Sequence, residues 1–113
     1  MKLPRLSGDE FARICARLDD GSADRDDLRS ATVHLLGLLE ERAPGNSVEV
    51  RVPPFAVAQC IAGSQHTRGT PPAVVEMDAS TWVSVARGHT AWASADISAS
   101  GQRSDLSALM PLA

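Results

Sequence analysis

Near its start the chain carries two segments in which apolar residues return at helical spacing. Ser7-Gly8-Asp9-Glu10 has the spacing of a capping box, in which the Ser oxygen and the Glu carboxylate satisfy free amides at a helix start. Phe11, Ile14, Cys15 and Leu18 then fall on one face, and Gly21, after Asp19-Asp20, suits a left-handed exit. A longer helix is predicted from about Arg25 to Arg42. Its stripe is Leu28, Ala31, Leu35, Leu38 and Leu39, with Arg29, Glu40 and Glu41 turned away, and Pro44-Gly45-Asn46 ends it.

The period then changes to two. Val48, Val50 and Val52 alternate with Glu49 and Arg51, the pattern of a half-buried strand, and Pro53-Pro54 interrupts the ladder. From Phe55 to Ile61, Phe55, Val57, Gln59 and Ile61 share one face, while Ala56, Ala58 and Cys60 share the other. The small side chains leave space that a helix or a bound chain must fill, because an empty cavity costs stability. Gly63 to Pro72 is a polar connection and Ala73 to Met77 a further strand.

Asp78 can cap a helix through Thr81 to Arg87, with Trp82, Val85 and Ala86 as its buried stripe and Gly88 as its stop. Another strand is expected within Ala95 to Ser100, followed by a turn at Gly101. Ser104 then caps a last short helix carrying Leu106, Leu109 and Met110 and closed by Pro111. Helices and strands together make an α+β chain. With 113 residues it reads as one domain, residues 1–113, because two separate cores would need more chain.

Charge and composition narrow the function. A net charge of -3 lacks the basic stripe that replaces counterions on a phosphate backbone, so no nucleic-acid role is expected. The 4% aromatic content, with no Tyr, weakens base stacking further. Met1 to Leu6 leads into Ser7-Gly8-Asp9-Glu10 rather than an apolar export segment, and no stretch is long enough to span a bilayer, so a cytoplasmic location is expected. Cys15 and Cys60 lack metal-type spacing and read as reduced core thiols.

Catalytic chemistry finds little support. His34, His66 and His89 are three bases without a matching nucleophile motif, and Cys60 lies in an apolar strand where desolvation disfavours a thiolate. The histidines also lack the local pairings of zinc sites, so each reads as a surface or loop residue. No enzyme activity, catalytic residue, metal or cofactor is expected. In the connection Gln65 to Thr70, His66 and the forked donors of Arg68 suit a carboxylate or phosphate head group. The plainer alternative is a loop shaped by Gly69 and Pro71-Pro72, with Arg68 paired to Glu76 or another acid.

Three pieces resemble the bacterial sterol carrier protein orthologues, a compact branch of the sterol carrier protein type 2 superfamily. They are Val48-Glu49-Val50-Arg51-Val52-Pro53-Pro54-Phe55, then His66 through Glu76, then Trp82 through Gly88 with Ile97 to Leu112. The resemblance implies a single twisted, mainly antiparallel sheet of about four to five strands with helices packed on one face and an apolar tunnel between them. Superfamily members bind fatty acids, acyl-coenzyme A or sterols. Others are accessory domains of enzymes such as mycothiol-dependent maleylpyruvate isomerase. The segment between Gly88 and Ile97 is shorter than in larger members, and the end Met110-Pro111-Leu112-Ala113 differs from the Ser-Lys-Leu peroxisomal address of eukaryotic relatives.

The resulting expectation is a small lipid-binding or lipid-transport module with its apolar site between the sheet and the C-terminal helices. Phe55, Val57, Trp82, Val85, Leu106, Leu109 and Met110 are its candidate lipid contacts, and His66 and Arg68 its candidate head-group contacts. Core packing accounts for the apolar residues equally well. The alternative is a non-catalytic interaction or enzyme-accessory domain that has lost its tunnel, with a second copy or an enzyme as partner.

Overall fold

A computed structural model describes residues 2–63, 73–101 and 104–113. In chain order the elements are α1 (Gly8–Asp20), α2 (Arg25–Arg42), β1 (Val48–Val52), β2 (Ala56–Cys60), β3 (Ala73–Glu76), α3 (Ala79–Ala86) and β4 (Ser98–Ser100). Single 3-10 turns occur at Trp92–Ser94 and Ser107–Leu109.

Local chemistry sets the helix ends. Ser7 and Glu10 form the capping box of α1, and Gly21 ends it at φ 82°. Asp24 and Asp27 form a second box at the start of α2. Asp27 also takes a two-pronged ion pair from Arg17, at 2.8 and 2.7 Å, which fastens α1 to α2 and holds the Asp27 carboxyl down at about 2. That fastening is present above the ordinary carboxylate range and is lost as pH falls toward 2.

The strands form one mixed sheet in the order β2-β1-β3-β4. β1 pairs with β2 and β3 with β4 in antiparallel fashion, while β1 and β3 run parallel, Val48 opposite Ala73 and Val50 opposite Val75. The parallel pair follows from connectivity: β2 ends where β1 begins, so a strand leaving from that edge on the other side of β1 must run the same way as β1. Val48, Val50, Val52, Ala58, Cys60, Ala73 and Val75 all turn to the covered face. The space above the Ala58 and Cys60 face is taken by α2, which packs directly on β2.

Three expectations are corrected. The Leu stripe predicted for α2 is too narrow, because Thr32, His34, Leu36 and Gly37 are buried as well. α1 and the extended residues before it cover the back of α2, so His34 is a core residue rather than a surface one. The last helix shortens to the 3-10 turn Ser107–Leu109. Ser104 donates its hydroxyl to the Gly101 carbonyl instead of capping, and Pro111 cannot continue a helix.

On α2 the Thr32 hydroxyl is fully buried and has no hydrogen-bond partner among the described residues. An unmet buried hydroxyl costs about 1–3 kcal/mol, whereas an isosteric methyl costs nothing in hydration. Thr32→Val is therefore expected to raise unfolding stability by about 1 kcal/mol, read as a higher urea midpoint at unchanged slope.

Candidate functional site

A tight reversal places Phe55. Its amide donates to the Val52 carbonyl at 3.0 Å, so the chain turns over Pro53-Pro54 and sets the ring at the end of β1. The start of α2 reaches the same place, with the Arg25 guanidinium 5.1 Å from the Phe55 ring centre, a cation–π distance. Leu18 from α1, Leu28 from α2 and Ala79 from α3 complete an open cleft of about 620 Å³. That volume lies within the range of small-molecule sites.

Asp24 and Asp78 stand on the rim, and both are occupied as helix caps. The Asp78 carboxylate accepts the Thr81 amide at 2.8 Å, which holds it below its ordinary pKa. Asp24 accepts the Asp27 amide, also at 2.8 Å. Arg25 takes part in none of the ion pairs among the described residues, so its guanidinium is available to an incoming anion. Leu18, Leu28, Phe55 and Ala79 thus share the cleft with the Asp24 and Asp78 carboxylates and with the Arg25 guanidinium, which is stacked on Phe55 and outside the ion pairs.

The candidate lipid contacts do not form one cluster. Phe55 lines the cleft. Trp82, one helical turn beyond Ala79, is fully buried and donates its indole N–H to the Thr32 carbonyl at 3.2 Å. Val85 and Leu106 are buried, whereas Leu109 and Met110 are half-buried. Val57 lies on the opposite face of the sheet and is 51% exposed.

Leu109 sits at the other end of α2, where Arg42 donates to the Leu109 and Pro111 carbonyls at 2.9 and 2.7 Å. Arg25 and Arg42 are separated by about 25 Å of helix at 1.5 Å per residue. His66 and Arg68 lie outside the described residues. The residues flanking their connection, Gly63 and Ala73, belong to the Arg42 end of the molecule, since Val48 and Ala73 are register partners and the Ile61 amide donates to the Ala43 carbonyl.

Sequence reasoning missed Leu18, Leu28, Arg25 and Ala79 as cleft residues. The available signal was positional: both leucines stand at the ends of their helical stripes, next to the Gly21 turn, where a stripe stops being covered.

The remaining chemistry is quiet. Burial pushes the Cys60 thiol up to about 11 and raises Cys15 as well, which disfavours either thiolate. Among the described residues no three His, Cys, Asp or Glu side chains are grouped so as to hold a metal ion. No helix among them is long and apolar enough to cross a membrane.

Helices laid on one face of an open four-stranded mixed sheet define an α+β fold. The chain belongs to the bacterial SCP ortholog family, the orthologues of sterol carrier protein, whose model matches residues 24–112. A search of curated proteins finds no match.

Proposed function

We propose that this protein is a small lipid-binding or lipid-carrier module and that the cleft beside Phe55 receives the ligand's apolar chain. The observation carrying this reading is the cleft that brings Leu18, Leu28, Phe55 and Ala79 together beside Arg25, which is stacked on Phe55 but outside the ion pairs among the described residues, in a member of a sterol-carrier family. Arg25 holds the acidic end of the ligand. Trp82 and Leu106 belong to the packed interior that a longer chain has to part, Val85 is buried apart from that cluster, and Leu109 and Met110 lie toward the opposite end. His66 and Arg68, outside the described residues, remain the proposed head-group contacts. Each buried methylene contributes roughly 0.8 kcal/mol before ordering costs.

The test is a thermal melt with long-chain fatty acids, paired with native mass spectrometry of gently purified protein. A ligand at a hundredfold excess over its Kd stabilises by about 2.7 kcal/mol, so a clear rise in Tm is expected. In Phe55→Ser the rise is expected to vanish while the ligand-free fold is kept. Absence of any shift or added lipid mass in the unaltered protein counts against the reading.

A second reading, an interaction or enzyme-accessory domain without a tunnel, is favoured by the filled interior. Val48, Val50, Val52 and Trp82 have no exposure at all. It predicts a dry protein that co-purifies with an enzyme or increases in mass with concentration.

A further inference from the structure

Residues 2–7 form an extended strap along the back of α2. The Leu6 amide meets His34, the Arg5 side chain passes over Gly37, and the Leu3 amide donates to the Glu40 carboxylate at 3.0 Å. The spacings agree: three extended residues cover about 10 Å and six helical residues rise about 9 Å. The fit over Gly37 is close, since a Cβ there would fall 3.0 Å from the Arg5 Cγ and 3.4 Å from the Leu3 carbonyl oxygen, so the strap would have to give by a few tenths of an ångström. Arg5 is also ion-paired with Glu41.

His34 is the innermost of these contacts, 8% exposed, with its ring centre 4.4 Å from that of Phe11 on α1. Its Nδ1 accepts the Leu6 N–H at 3.0 Å. An accepting Nδ1 places the neutral ring's proton on Nε2, a tautomer assigned from that hydrogen bond. A second proton has to enter at Nδ1, where it would set an N–H directly against the Leu6 N–H. The hydrogen bond then has two donors and no acceptor.

We propose that His34 is a proton-operated latch: its neutral ring holds the N-terminal strap on α2, and its protonation releases the strap and uncovers Leu3, Leu6 and the back of the helix. The proposal is independent of any lipid ligand.

The surroundings offer the charged ring no compensation. The strap presents Arg5, a like charge, and α1 presents the uncharged Phe11 ring. On α2 the residues one turn away are Ser30, Ala31, Gly37 and Leu38, all neutral. The carboxylates two turns away are committed, Asp27 to Arg17 and Glu41 to Arg5. Burial first, and then Arg5, hold the ring's pKa below its ordinary 6.5 while the strap is docked. Because the docked state resists the proton, docking is complete above about 6.5 and weakens as pH falls below it. The opening constant rises about tenfold per pH unit until the docked ring itself titrates.

Amide hydrogen exchange by NMR tests this in the intact protein, as protection factors between pH 7.5 and 5. Leu6 protection is expected to fall about tenfold per unit below about 6.5, while Leu36 on α2 keeps its protection. In His34→Gln an amide oxygen replaces the acceptor without titrating, and Leu6 protection becomes independent of pH. Should that variant fail to fold, the exposed Arg5→Gln serves instead: without the like charge the docked ring's pKa moves back toward 6.5, so the fall in Leu6 protection levels off at a higher pH and is smaller overall. A pH-independent Leu6 in the unaltered protein overturns the latch, as does the same fall in His34→Gln or an undiminished fall in Arg5→Gln. Ring nitrogen shifts that put the neutral proton on Nδ1 overturn it without any variant.

Discussion

Trp82→Ala is expected to lower the unfolding free energy by about 3–5 kcal/mol, the usual range for deleting a buried indole. Trp82 is the largest fully buried side chain and the point at which α3 meets α2. Its removal leaves a void lined by both helices and the sheet, and also ends the bond from its indole N–H to the Thr32 carbonyl. That carbonyl keeps its helical partner, so the lost bond adds only about 1 kcal/mol. Trp82→Phe, which keeps most of the ring volume, should accordingly cost much less. Urea unfolding followed by far-UV circular dichroism measures both, avoiding the fluorescence of Trp92. A loss below about 1 kcal/mol for the Ala variant would mean that the α2–α3 contact does not carry the core.

The elements that local chemistry decides were legible in the sequence. The capping box at Ser7 and the φ-positive Gly21 bracket α1, and the Val48-Val50-Val52 alternation gives β1 and its covered face. Asp78 caps α3, and the stripe of Trp82, Val85 and Ala86 is buried. What a single segment does not encode was less accessible. The second covered face of α2 depends on residues 2–7 lying on it, and their sequence has neither helical nor strand period. The cleft is assembled from α1, α2, the β1–β2 turn and α3, so no contiguous motif announces it. The last apolar segment is too short for the helix its spacing suggests: three residues between Leu106 and Met110 support one 3-10 turn, and Pro111 prevents another.

Gly45→Ala is expected to cost about 2–6 kcal/mol, through two separable terms. Gly45 joins α2 to β1 at φ 145°, a backbone state that residues with a Cβ rarely adopt and that costs them about 1–3 kcal/mol. A Cβ built there falls 2.2 Å from the carbonyl carbon and oxygen of Ile61, and backbone atoms cannot rotate aside as a side chain can. Relief requires moving the chain, at about another 1–3 kcal/mol. The Ile61 carbonyl is pinned where it is, accepting the Ser47 amide at 3.1 Å and the Ser47 hydroxyl at 2.7 Å, while the Ile61 amide donates to the Ala43 carbonyl at 2.7 Å. Movement there breaks the junction that seats the β1–β2 hairpin against the end of α2. Gly21 separates the two terms, because it also has a positive φ, 82°, but a Cβ there meets nothing within 4 Å. Gly21→Ala should show the backbone strain alone, about 1–2 kcal/mol, and Gly45→Ala distinctly more in the same urea titration. Equal losses in the two variants would mean that the chain does not cross Ile61 as closely as the geometry places it.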